Sequence, residues 1–247
     1  MVRPLAWTAI AGLSVGVISL SIAYAMGDRA MHRLADPATY LTSSCSGIGV
    51  AASTTPSERR LAWSGGDTVE VAVPATVRYR GGEGDEVIVR GPSDVIAQVT
   101  IDGGRIRLDC RVQARLHDVE IILPGRKFSR VALAGSGRLI MENVSQPELA
   151  VRVAGNGDIQ VQGKVDHVKV TISGAGRARL ADLATQQLTV KISGSGSIEA
   201  APTEIADIDL SGSGNVRLLT HPAQVRSHVA GSGRITQAPL EAANGKK

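Results

Sequence analysis

Aromatic residues are scarce: two Trp, three Tyr and one Phe among 247 residues. Beyond the N-terminal leader only Tyr40, Trp63, Tyr79 and Phe128 remain. That argues against a ligand site built on aromatic stacking, for bases or for sugars. Two cysteines, Cys45 and Cys110, exclude a disulfide-dense scaffold and a four-cysteine metal site. In an oxidising compartment the two can bridge. Cys110 also continues the odd-even phase of Ile106 and Leu108, which suits a small buried hydrophobe. The net charge is only +4, and no run of basic residues is interleaved with aromatics, so no nucleic-acid partner is expected. No segment beyond the leader carries a helical period.

Catalytic signatures are missing as well. A dinucleotide fingerprint needs a third glycine and a following helix, and none of the Gly-x-Gly triplets has them. Gly-x-Ser-x-Gly is absent, so Ser136, Ser195, Ser213 and Ser232 have no nucleophile context. The five histidines (His32, His117, His167, His221, His228) lack ligand spacing, and Asp166-His167 and His117-Asp118 are adjacent pairs that a strand would split between two faces. Gly155-Asn156-Gly157-Asp158 approaches a calcium-type repeat only once. No catalytic residue, metal or cofactor is therefore expected. The competing reading is a carbohydrate-active enzyme, a polysaccharide lyase or hydrolase on a β-helix scaffold. Asp207 and Asp209 share a face, but that reading needs matching carboxylates on adjacent coils, which the repeat does not supply.

What the chain does have is a ruler. Six glycine triplets recur: Gly135 and Gly137, Gly155 and Gly157, Gly174 and Gly176, Gly194 and Gly196, Gly212 and Gly214, Gly231 and Gly233. The steps between them are 20, 19, 20, 18 and 19 residues. A fixed period of about 19 residues marks a solenoid, whose units bury apolar surface only by stacking. Around each triplet the chain alternates. Val131, Leu133, Leu139 and Met141 in the first repeat correspond to Val190, Ile192, Ile198 and Ala200 in the fourth. Such a period of two predicts strands with one buried face on each side of a glycine corner. Both glycines share the inward phase, which predicts a corner too tight for side chains. The inward phase fails only at Ser227 and Gln237, both in the sixth repeat, which reads as a C-terminal cap.

The outward rows mix signs, as in Arg138, Asp158, Arg177, Ser197, Asn215 and Arg234. They read as a solvated face with ion pairs worth under about 1 kcal/mol each. The connections 142–150, 162–169, 181–189, 201–207 and 219–226 differ in sequence and read as loops outside the stack, where binding specificity would sit.

Residues 1–25 read as a signal peptide: Arg3, an uncharged apolar stretch from Leu5 to Tyr24, and a small-residue site at Ala23-Tyr24-Ala25. An uncleaved membrane anchor is the alternative. Residues 26–60, rich in Ser, Thr and Ala, read as a linker, residues 61–240 as the folded domain, and residues 241–247 as a tail. Between Leu61 and Leu123 shorter alternating runs are punctuated by Gly91-Pro92, Asp102-Gly103-Gly104 and Pro124-Gly125. They read as the first coils and N-terminal end of the same solenoid, with a separate small sandwich as the alternative.

The stretch Asp118-Val119-Glu120-Ile121-Ile122-Leu123-Pro124, then Val131-Ala132-Leu133-Ala134-Gly135-Ser136-Gly137 and repeated Ile-Ser-Gly-Ser-Gly units, resembles the GIN domain, the auto-transporter adhesin head domain of bacterial envelope proteins. Val89-Arg90-Gly91-Pro92-Ser93-Asp94-Val95 resembles the family's opening segment. The resemblance runs from about Leu61 to Pro239. It implies an all-β, right-handed parallel β-helix-like solenoid, exported to the periplasm or cell envelope, and brings no catalytic residues. The expected partner is an envelope component: a glycan, a membrane component or a protein.

Overall fold

The computed structural model describes residues 56–82, 84–109 and 119–239. The leader, most of the linker, Cys45, Cys110, His32, His117 and the tail lie outside the described residues.

Strands dominate because the alternating phase has a matching inner wall. β8 (Arg130–Gly135) ends at the first glycine corner, and four long strands, β9 (Arg138–Gly155), β10 (Asp158–Gly174), β11 (Arg177–Gly194) and β12 (Ser197–Gly212), run from glycine corner to glycine corner. Each long strand is one full turn, followed by β13 (Asn215–Leu218), β14 (Gln224–Gly231) and β15 (Arg234–Gln237). Neighbouring turns pair in parallel and in register: Ile172 lies between Val153 and Ile192, and Gly174 between Gly155 and Gly194. In the first five repeats all four inward positions flanking each corner are buried, and each such Val, Leu or Ile contributes about 1.5–3 kcal/mol.

The connections are where expectation and structure part. Residues 142–150, 162–169, 181–189 and 201–207 are not loops but the continuation of β9, β10, β11 and β12. They carry their own inward residues, Val144 and Leu149, Val165 and Val168, Leu183 and Leu188, all buried. Only 219–226 keeps a loop, between β13 and β14. The bend within each turn absorbs the sequence differences as register shifts, for example between Leu180 and Gln187. Polar side chains hold this bend. Gln146 Nε2 donates to the carbonyls of Phe128 and Glu148, both at 2.7 Å. Thr185 Oγ1 lies 3.2 Å from the equivalent carbonyls, of Asp166 one turn back and Gln187 two residues on. Thr203 and Thr220 reach back one turn in the same way, to Thr185 O and Pro202 O.

The N-terminal strands belong to the same 15-stranded sheet, not to a separate sandwich. β2 (Thr68–Val71) and β3 (Thr76–Arg80) lie parallel on β8 and β9. β6 (Arg105–Leu108) and β7 (Glu120–Ile122) stack outside them, on β2 and β3. Stack order thus departs from chain order. Antiparallel strands close this end: β1 (Pro56–Ala62) on β4 (Glu86–Pro92), β4 on β7, and β5 (Val99–Asp102) on β6. Because β1 starts at Pro56, the domain boundary placed at residue 61 falls inside a paired strand. The structure also holds a helix where none was expected, α1 (Ser93–Ile96). Val95 and Ile96 are both buried, and two adjacent residues can share an inward direction on a helical turn but not along a strand.

Candidate functional site

The face that follows the glycine corners is strongly charged. Two outward rows define it. Arg138, Asp158, Arg177, Ser197, Asn215 and Arg234 pair in register from β9 to β15, and beside them run Ile140, Gln160, Arg179, Glu199, Arg217 and Thr236. Stacked strands stand about 4.8 Å apart.

The arginines of this face are held in two ways. Toward the N-terminal end each has a carboxylate at hydrogen-bond distance: Arg78–Glu120 at 2.7 Å, Arg80–Glu142 at 2.9 Å and Arg90–Glu58 at 3.1 Å, with Glu58 also taken by Arg60. The hydrogen bonds from Arg90, and then Arg60, hold the Glu58 carboxyl below the ordinary glutamate range. Toward the C-terminal end this matching stops. Arg138, Arg177 and Arg179 share the single carboxylate of Asp158 at 3.5–3.6 Å, and Arg217 stands 3.4 Å from Glu199. None of these four makes a side-chain hydrogen bond among the described residues. Arg234 has neither an ion pair nor a side-chain hydrogen bond there.

The short side chains of Ser197 and Asn215 leave a trough between Arg177 and Arg234, with a volume of about 280 Å³. Arg179, Glu199, Arg217 and Thr236 form its second row. Four arginines thus face one glutamate. A second, smaller recess of about 260 Å³ lies by Thr76, Ser136, Arg138 and Asp158.

The face preceding the corners carries two ion pairs, while Arg152 and Lys169 on it form none among the described residues. Asp207 Oδ1 lies 3.6 Å from Arg226 and Asp209 Oδ2 3.6 Å from Lys191. The register partners of Asp207 are Thr189 and Arg226, and those of Asp209 are Lys191 and His228. The two carboxylates therefore meet cations and neutral groups on adjacent coils, not further carboxylates. His228 faces Asp209 and His167 faces Glu148 across neighbouring strands, pairs that appear in the sequence only when residues one period apart are compared. Among the described residues no group of three or more His, Cys, Asp or Glu side chains is placed to hold a metal ion. Trp63, Tyr79 and Phe128 are all buried, with Trp63 and Tyr79 edge-on to Phe128 at 5.3 and 5.6 Å. Burial pushes the Tyr79 hydroxyl pKa up. No described aromatic ring is offered to a ligand.

The triplet glycines line the corner itself. Gly194 has φ +119°, and a Cβ there would stand 2.6 Å from the Gly174 carbonyl of the previous turn. Gly196 is buried, and a Cβ there would stand 2.6 Å from Ile172 Cγ2. The intervening Ser195 is exposed, and its N–H donates to Gly174 O at 2.9 Å.

Residues 67–222 match the family profile described as "Putative auto-transporter adhesin, head GIN domain". This chain belongs to the GIN-domain family. The match lies within the span the sequence motifs suggested, and it takes in the N-terminal turns and all glycine triplets but the last. Solved structures similar to this GIN domain include a "putative adhesin" from Bacteroides fragilis, with TM-score 0.62 and 15% identity over 77% of this chain and 100% of that one. A second is a "putative adhesin" from Parabacteroides merdae, with TM-score 0.48 and 16% identity over 75% and 97%. A third is a "putative lipid binding protein" from Parabacteroides distasonis, with TM-score 0.47 and 18% identity over 76% and 98%. At these identities the likeness concerns the fold. No curated protein matches this GIN domain.

Proposed function

We propose that this GIN domain is an exported, non-enzymatic recognition module of the bacterial cell envelope, binding its partner through the face that follows the glycine corners. The observation that carries the reading is the change in charge matching along that face. Arginines at one end are each neutralised by a carboxylate. Those at the other share too few and line a recess. Exposed guanidinium groups without fixed partners keep their hydrogen-bonding capacity for a ligand. Membership of an adhesin-like family and the leader-like residues 1–25 agree with a role outside the cytoplasm. No described helix is long and apolar enough to cross a membrane.

The test is a fold-dependent binding screen. The full chain is presented to glycan arrays and to fractionated envelope material, with a heat-denatured sample of the same chain as the unfolded control. Saturable binding by the native chain and none by the denatured sample is the expected result. Native protein that captures nothing from any fraction would overturn the reading.

A further inference from the structure

Resting on that reading, we infer that the trough between Arg177 and Arg234 is a subsite for an acidic oligosaccharide, bound by its carboxylate or sulfate groups. Four features of the trough select this ligand class.

The first is unmet charge: Arg234 has no ion pair or side-chain hydrogen bond among the described residues, Arg217 has only Glu199 at 3.4 Å without a hydrogen bond, and Arg177 and Arg179 have only a shared carboxylate at 3.5 Å. The guanidinium fork matches planar or tetrahedral oxyanions with paired N–H donors. The second is length. Arg177 and Arg234 are three ladder steps apart, about 14 Å at the usual strand spacing, too far for one small anion to bridge. A linear ligand with acidic groups along it fits that separation.

The third feature is the floor. Ser197, Asn215 and Thr236 bring hydroxyl and amide groups with no side-chain hydrogen bond among the described residues, suited to sugar hydroxyls. Glu199 adds an acceptor for a hydroxyl and disfavours an anion directly above it. The fourth is what the trough does not offer. All three described aromatic rings are buried, so neutral sugars and bases find nothing to stack on. Among the described residues the large exposed apolar side chains, Val225 and Val229, lie on β14, while the trough is built from β11, β12, β13 and β15, so these offer it no wedge to enter a bilayer. Charge and hydrogen bonding are left as the means of recognition.

The probes are tetragalacturonate, its methyl ester, a sulfated hexasaccharide and vesicles containing anionic phospholipid, each titrated calorimetrically into the full chain. At least one acidic saccharide is expected to bind, with an affinity that falls as salt rises. The ester should bind roughly tenfold or more weakly, as expected when charge-assisted hydrogen bonds are lost. Arg217→Gln with Arg234→Gln should weaken the acidic probe by a similar factor. Arg152→Gln, exposed on the face preceding the corners, should leave it unchanged. Equal binding of the ester, indifference to the double substitution, binding to vesicles alone, or no binding of either acidic saccharide would each overturn the assignment. An envelope partner still captured by the Arg217→Gln/Arg234→Gln protein would leave the recognition module standing and remove only this subsite.

Discussion

Gly194 and Gly196 stand two residues apart and are kept small by different neighbours. At Gly194 the backbone angle is one that L side chains rarely adopt, and the obstacle is the carbonyl of the previous turn. At Gly196 the obstacle is a core side chain, Ile172. Replacing either by Val is expected to cost more than about 2 kcal/mol, from strain in the first case and overpacking in the second. Ser195→Ala should stay within about 0.5 kcal/mol, since its side chain is exposed and the ladder bond is made by its backbone. Urea unfolding of the three variants checks this. Equal tolerance at all three positions would refute the corner geometry. Thr185 is the corresponding polar case, a buried residue whose hydroxyl meets two carbonyls. Thr185→Val keeps the shape and removes the donor, so a loss of about 1–3 kcal/mol is expected in the same assay. The glycine period was legible because both constraints recur every turn. The Thr185 role was not, because Gln146 and a buried Val165 occupy its register position in neighbouring turns.

Among the elements, the antiparallel N-terminal strands carry the clearest consequences. β1 covers the edge of β4, and Glu58 on β1 ties Arg60 and Arg90. A chain begun at residue 61 loses most of that strand and bares an edge, whereas one begun at residue 55 keeps it. The shorter chain is expected to melt several degrees lower and to aggregate more readily, as read by calorimetry and light scattering. Identical behaviour of the two chains would mean that β1 does not close the sheet. Glu58 also sets a pH signature. Its folded pKa is depressed, so its contribution is present above the unfolded value and is lost as pH falls through the folded one. Arg90→Gln should raise the Glu58 titration midpoint in an NMR pH series, and an unchanged midpoint would remove Arg90 as the cause. β1 itself was unreadable as a strand. Pro-Ser-Glu-Arg-Arg alternates only weakly, and its partner β4 lies some thirty residues away. The helix at Ser93–Ile96 was hidden for a similar reason: four residues are too few to establish a period.

At the largest scale the described turns form a stack in which each meets chiefly its two neighbours. Removing one complete period, residues 177–196, would join Gly176 to Ser197 and recreate the corner. That variant should still fold cooperatively with a reduced melting temperature. Removing residues 177–186 instead deletes half a turn, with the buried Ala178, Leu180, Leu183 and Thr185, leaves too little chain to close the coil, and should abolish cooperative melting. If both deletions behave alike, the turns are not interchangeable units. The two ends of the stack differ. The N-terminal end is closed by antiparallel strands, while β14 is exposed along its length with Val225 and Val229 open to solvent. Ile172→Ala, inside the stack, should therefore cost about 2–5 kcal/mol, and Val229→Ala much less.

The strand phase, the 19-residue turn and the glycine corners could be read from the chain because they are periodic, and stacking forces the same local solution on every turn. Family and fold followed from those features. The trough could not be read that way. Its arginines are scattered among mixed-sign neighbours along the chain and become a site only when parallel register sets Arg177, Ser197, Asn215 and Arg234 side by side. Whether a charge on that face is neutralised depends on the side chain one period away, and the strand register alone determines which side chain that is.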